Sequence, residues 1–92
     1  MIRLNCFFKG ADAASCQEAL QAAIALTEKS QHHAGCIAYD VFPSATRNDV
    51  FMICETWADQ ASLDAHSATP EFAHYVEIIH SKGEMKLERF LF

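Results

Sequence analysis

Val50-Phe51-Met52-Ile53-Cys54-Glu55-Thr56-Trp57 is the stretch that decides the fold. Side chains of a strand alternate between two faces, so Val50, Met52 and Cys54 share one face while Phe51, Ile53 and Trp57 share the other. Neither face is wet. A sheet built around such a strand needs cover on both sides. Helices of the same chain can cover one side, and the simplest cover for the other is a second copy of the chain.

Working outward, residues 2–8 alternate Ile2, Leu4, Cys6 and Phe8 against Arg3, Asn5 and Phe7, which reads as a first strand. Gly10-Ala11-Asp12 stops it and offers Asp12 as a helix N-cap. Over 13–29 the period becomes helical, with Cys16, Leu20, Ala23, Ile24 and Thr27 as the apolar stripe. Gly35 is placed to end this segment in a left-handed conformation. A second strand follows over 36–42, then a polar loop over 45–49 and the strand quoted above. Asp59 caps a short helix running through His66. Thr69 caps another, with Pro70 at its first position and Phe72, Tyr75, Val76 and Ile79 as its stripe. The last strand covers 85–91. The order is β-α-β-β-α-β with the second helical unit broken in two, which predicts an α+β fold: one antiparallel sheet with helices on one side, over a single domain 1–92.

The chain has 92 residues, of which 51% are apolar or aromatic, so a body this small cannot hide all of them from water. The net charge of −5 excludes a basic stripe for phosphate backbones, and no nucleic acid is expected as a partner. No apolar run approaches a membrane span, and no export signal is visible, so a cytoplasmic location is expected. Cys6, Cys16, Cys36 and Cys54 form no C-x-x-C pair and read as buried free thiols. His32 and His33 are adjacent, so their side chains diverge, and the sequence offers no metal-ligand spacing. No metal, flavin or other cofactor is expected.

Glu55-Thr56-Trp57 followed by Leu63, His66, Thr69-Pro70 and Phe72 resembles the E-x-W…L-x-x-H-x-x-[ST]-P-x-F run of the antibiotic biosynthesis monooxygenase domains. Ala34-Gly35-Cys36-Ile37-Ala38-Tyr39 is similar to that family's P-G-C-x-x-Y segment. The likeness covers essentially the whole chain. Ala34 departs from the usual Pro and Glu71 from a frequent His at the pocket mouth. The resemblance implies a ferredoxin-like fold assembled as a dimeric α+β barrel, a pocket between sheet and helices, and oxidation of a hydroquinone or polycyclic phenol by dioxygen without a cofactor. The partners it implies are a small aromatic substrate, dioxygen and a second copy of the chain.

That chemistry needs a base, a hydrogen bond for the oxyanion and a dry aromatic slot. His66 is the candidate base, since an imidazole suits proton removal near neutral pH. Asn5 is the candidate donor to the substrate oxygen. Trp57, Phe72 and Tyr75 are candidate walls. Glu55 is placed either to orient His66 or to pair with Arg3 or Arg89. Haem-degrading relatives share the fold, but Val76 stands where their ligating His belongs. Isomerases of a phosphorylated autoinducer sugar resemble the His66…Thr69-Pro70 stretch and need a cation at the pocket; Arg3, Lys86 and Arg89 are the candidates. A non-catalytic dimer that binds a small ligand is the third reading.

Overall fold

The computed structural model describes residues 1–92. Strand β1 (Ile2–Gly10) leads to helix α1 (Ala13–Ser30), then strands β2 (Cys36–Pro43) and β3 (Val50–Trp57). Helices α2 (Gln60–Ser67) and α3 (Pro70–His80) follow, and strand β4 (Gly83–Leu91) closes the chain. The expected order, with its divided second helical unit, is the observed one.

Each helix begins where a short polar side chain satisfies a free backbone N–H. Asp12 accepts from the Ser15 N–H at 2.7 Å, Asp59 from the Ser62 N–H at 2.8 Å, and Thr69 from the Phe72 N–H at 3.2 Å. Gly35 has a φ of +79°, and a side chain there would also collide with Ser62. Only glycine can turn the chain from the end of α1 into β2 while α2 sits this close.

The strands form one antiparallel sheet in the order β2-β3-β1-β4, so each helical crossover passes over a strand from the other half of the chain. The register places Leu4 of β1 opposite Glu55 of β3 on one side and opposite Arg89 of β4 on the other. Helices cover the face that carries Ile2, Leu4, Cys6 and Phe8 with Phe51, Ile53 and Trp57, all buried. The opposite face carries Arg3, Asn5 and Phe7 with Met52, Cys54 and Thr56, and no element of the chain covers it.

The buried side of α1 differs from the expected stripe. Cys16, Ala23 and Thr27 are buried as expected, but Leu20 and Ile24 are only half-buried, and Ala19, Ala22, Leu26 and Ser30 complete the buried face. Small residues let the helix approach the sheet closely, so its packing face is defined by alanines rather than by the largest apolar side chains.

Candidate functional site

Between the sheet and helices α2 and α3 lies a cavity of about 390 Å³, a size suited to a small organic molecule. Leu4, Cys6 and Ile53 rise from the sheet, and Leu63, Phe72 and Val76 close over them from the helices. Two polar side chains reach its deep end, Glu55 at 5% exposure and Tyr39 at 4%. At the outer end stand Gln60, Asp64 and Arg89, all exposed. The site is therefore an apolar slot with a carboxyl and a phenol inside and a polar rim outside.

Glu55 owes its position to β3: it points to the helix side between Ile53 and Trp57, and its Oε1 accepts the Trp57 indole N–H at 2.9 Å. It makes no ion pair, because Arg3 lies on the opposite face, donating to Thr56 Oγ1 at 3.2 Å, and Arg89 turns to Gln60. Burial pushes the Glu55 carboxyl above the usual range, and hydrogen bonds from Trp57 and Tyr39 only partly offset this. Burial, reinforced by the neighbouring Glu55 charge, drives the Tyr39 hydroxyl strongly upward, so it stays protonated and able to donate. Cys6 on the same floor is pushed up to about 12, again first by burial, and is not a thiolate nucleophile at neutral pH.

His66 is 1% exposed but does not line this cavity. Its ring is packed against Trp57 (centroids 4.5 Å apart), Phe72 (5.1 Å) and Tyr39 (5.7 Å), so the Phe72 and Tyr39 rings form the partition between it and the cavity. Its Nδ1 meets His33 Nδ1 at 2.9 Å, and His33 Nε2 meets Glu71 Oε1 at 2.8 Å. With both rings neutral, this chain of three side chains orders their protons. The Glu71 carboxylate can only accept, so His33 Nε2 carries a proton. When His33 is neutral its Nδ1 offers a lone pair, His66 Nδ1–H donates to it, and the second lone pair falls on His66 Nε2. That atom is buried and has no hydrogen-bond partner. Burial, with repulsion from a protonated His33 second, lowers His66 to about 4, so at neutral pH the ring is uncharged.

The expected site residues are thus divided. Glu55 and Phe72 line the cavity; Trp57 and His66 are packed behind its wall; Tyr75 faces His74 (centroids 4.8 Å apart) and does not line it. Asn5 does not meet His66 at all. The alternation that sends Leu4 into the cavity sends Asn5 to the open face of the sheet, where its Oδ1 is enclosed without a partner. Sequence reasoning misses Tyr39 and His33 as site residues. Tyr39 is the tyrosine of the Ala34–Tyr39 segment, whose pattern speaks for fold alone. His33 does diverge from His32, but the divergence turns it inward onto His66.

The sequence pattern of the antibiotic biosynthesis monooxygenase family matches residues 1–78. A crystal structure from Bacteroides thetaiotaomicron, of a conserved protein of unknown function described as a possible oxidoreductase, superposes with a TM-score of 0.94 at 52% identity, covering 99% of this chain and 96% of that one. A structure of an antibiotic biosynthesis monooxygenase superposes with a TM-score of 0.89 at 26% identity, covering 100% of this chain and 98% of that one. Bacillus subtilis YcnE is 30% identical over 60 residues, which are 65% of this chain and 63% of that protein. The Synechocystis protein sll1783 is 38% identical over 50 residues, 54% of this chain but only 34% of that relative. The ferredoxin-like sheet, the cavity beneath α2 and α3 and the match over most of its length agree: the chain belongs to the antibiotic biosynthesis monooxygenase family.

Proposed function

We propose that this protein oxidises a hydroquinone or polycyclic phenol with dioxygen, without a cofactor, in the cavity between the sheet and α2/α3. The observation that carries the reading is the pairing of Glu55 with Tyr39 inside an otherwise apolar slot. A carboxylate made more basic by burial takes the phenolic proton, and a neutral tyrosine hydroxyl donates to the oxygen that gains charge. The phenolate then gives one electron to dioxygen, and the two radicals combine at a ring carbon bearing hydrogen. Glu55 returns its proton to the outer peroxide oxygen, the O–O bond breaks, and the ring carbon loses its hydrogen as a proton. One oxygen atom remains as the new carbonyl and the other leaves as water. In this reading Glu55 replaces His66 as the group that touches substrate, because His66 sits behind Phe72 and Tyr39; His66 supports the site by packing against Trp57, which in turn holds Glu55.

The working unit of this proposal is a homodimer joined through the open sheet face. Phe7, Phe42 and Phe90 lie on that face at 45%, 50% and 47% exposure, a large apolar area for a monomer to leave wet. Burial on the order of 2,000 Å² or more is expected of such an obligate contact.

One observation favours the second reading, an isomerase of a phosphorylated sugar. Of Arg3, Lys86 and Arg89, Arg89 borders the cavity and offers a cation for an anionic substrate. A dioxygen-uptake assay with 1,4-dihydroxynaphthalene and related hydroquinones tests the main reading. Uptake with quinone formation that Glu55→Gln abolishes supports it. Isomerase activity without uptake, or ligand binding with neither, replaces it by the second reading or by a non-catalytic binding dimer.

A further inference from the structure

The register of the sheet sets a carboxyl and a guanidinium facing each other across one apolar residue. Leu4 of β1 is flanked by Glu55 of β3 and Arg89 of β4, and all three side chains line the cavity. Neighbouring strands are about 4.7–4.9 Å apart, so the two charged residues leave their backbones roughly 10 Å from each other. That span fits a flat fused-ring molecule lying over Leu4 with one end at each residue.

Arg89 is unclaimed by any carboxylate. Asp49 is paired with Arg47 and Glu18 with Lys82, while Glu71 accepts from His33. Instead, Arg89 Nη2 donates to Gln60 Oε1, and Gln60 is itself oriented by donating from Nε2 to Asp64 Oδ1 at 2.7 Å. A neutral amide therefore aims the guanidinium, occupies one of its donors and stands between it and Asp64. The remaining donors are free at the cavity's outer end, and a guanidinium's forked N–H groups match a carboxylate or phosphate.

We propose that the substrate carries an anionic oxygen group at the end remote from its reacting hydroxyl, and that Arg89 receives that group while Glu55 receives the hydroxyl. This deepens the reading of the cavity as a site for a phenolic substrate and rests on it. Arg89 thereby determines specificity by selecting aromatic acids or phosphate esters over neutral phenols of the same shape.

Calorimetric titration under nitrogen tests this with 6-hydroxy-2-naphthoate, 6-hydroxy-2-naphthyl phosphate and neutral 2-naphthol. Wild-type protein is expected to bind at least one of the two anions about ten-fold or more tighter than 2-naphthol. The better anion identifies the group as carboxylate or phosphate. Arg89→Gln should collapse that ratio to near one. Lys86→Gln, the same charge change on the opposite sheet face, should keep it. A wild-type ratio near one, a ratio retained in Arg89→Gln, or an equal collapse in Lys86→Gln overturns the inference. Because binding is read without dioxygen, the two proposals fail separately. Anion preference with no uptake by any hydroquinone removes oxidation and leaves Arg89's role standing, and uptake without anion preference does the reverse.

Discussion

The two faces of the sheet are made from the same four strands and have opposite fates. On the helix side, Ile2, Leu4, Cys6 and Phe8 of β1 are each at or below 8% exposure; on the other side of the same strand Phe7 is 45% exposed. Fully burying a phenylalanine contributes about 1.5–3 kcal/mol. Phe7, Phe42 and Phe90 on one uncovered face thus supply a drive to associate that the covered face has already spent within the chain. The difference teaches a division of labour. In the proposed mechanism the covered face carries the chemistry, through Glu55 and Tyr39, both enclosed among apolar side chains. The open face holds Asn5, whose Oδ1 has no partner within the chain.

The largest effect expected is at the covered face. Glu55→Gln removes the proton acceptor but leaves an amide oxygen for the Trp57 indole, so turnover should fall about 10²–10⁴-fold with the fold intact. Since burial raises the Glu55 pKa, the carboxylate carries a folding cost at pH values above its ordinary range. The variant should therefore melt at the same temperature as wild type or a few degrees higher at pH 8, as followed by circular dichroism. A variant that kept wild-type turnover would strip the covered face of its chemistry.

At the open face, Phe7→Glu together with Met52→Glu puts charge where the partner should sit. The dissociation constant of the proposed dimer should rise at least about 100-fold, read by light scattering across micromolar concentrations. Asn5→Ala should weaken association slightly and leave turnover per folded site near wild type. Loss of turnover in Asn5→Ala without loss of the dimer would mean that the two faces do not divide the work in this way.

Much of this division is legible in the amino-acid sequence. Asp12, Asp59 and Thr69 mark the helix starts because capping is local chemistry, and alternation in β1 sorts Leu4 from Asn5. Residue type alone pairs Asn5 with His66, although the alternation already sets it apart from Leu4. What sequence does not supply is register. Glu55 and Arg89 are 51 and 85 positions from Leu4 along the chain, and only sheet pairing brings the three level. The buried face of α1 escapes sequence reading for another reason: Ala19, Ala22 and Ser30 carry little hydrophobic signal, yet their smallness is what lets the helix close on the sheet.

A third test concerns acid. Folded His66 titrates at about 4 and the unfolded residue near 6.5, so the unfolded chain binds the extra proton between those values. Stability should be level above pH 6.5, decline as pH falls from 6.5 to about 4, and become level again with respect to this group below that. His66→Phe keeps an aromatic ring against Trp57 and removes the proton site, so its melting temperature should vary less across that window. An unchanged slope in His66→Phe would assign the acid sensitivity to other groups.

The smallest effect in free energy belongs to Glu71, whose contact with His33 is open to solvent and screened by it. Its own backbone amide, and His33 after it, hold the Glu71 carboxyl below the usual range. That contribution is present above the ordinary carboxylate range and lost as pH falls through the lowered value. The informative readout is the tautomer of His66. With a carboxylate at position 71 and both imidazoles neutral, the donor pattern runs one way, from His66 Nδ1–H to His33 and from His33 Nε2–H to Glu71. Glutamine can offer either its carbonyl oxygen or its N–H group to His33, so Glu71→Gln permits the reverse pattern, with the proton on His66 Nε2. Nitrogen-15 spectra at pH 7.5 should show one His66 tautomer in the wild type, protonated at Nδ1, and a mixture in Glu71→Gln. Lysine at the same position can only donate, so Glu71→Lys should populate the reversed tautomer further still. If both variants keep the wild-type spectrum, the proton between the two imidazoles is set by the surroundings of His66 rather than by the surface carboxylate. The buried face would then order its polar groups without help from the rim.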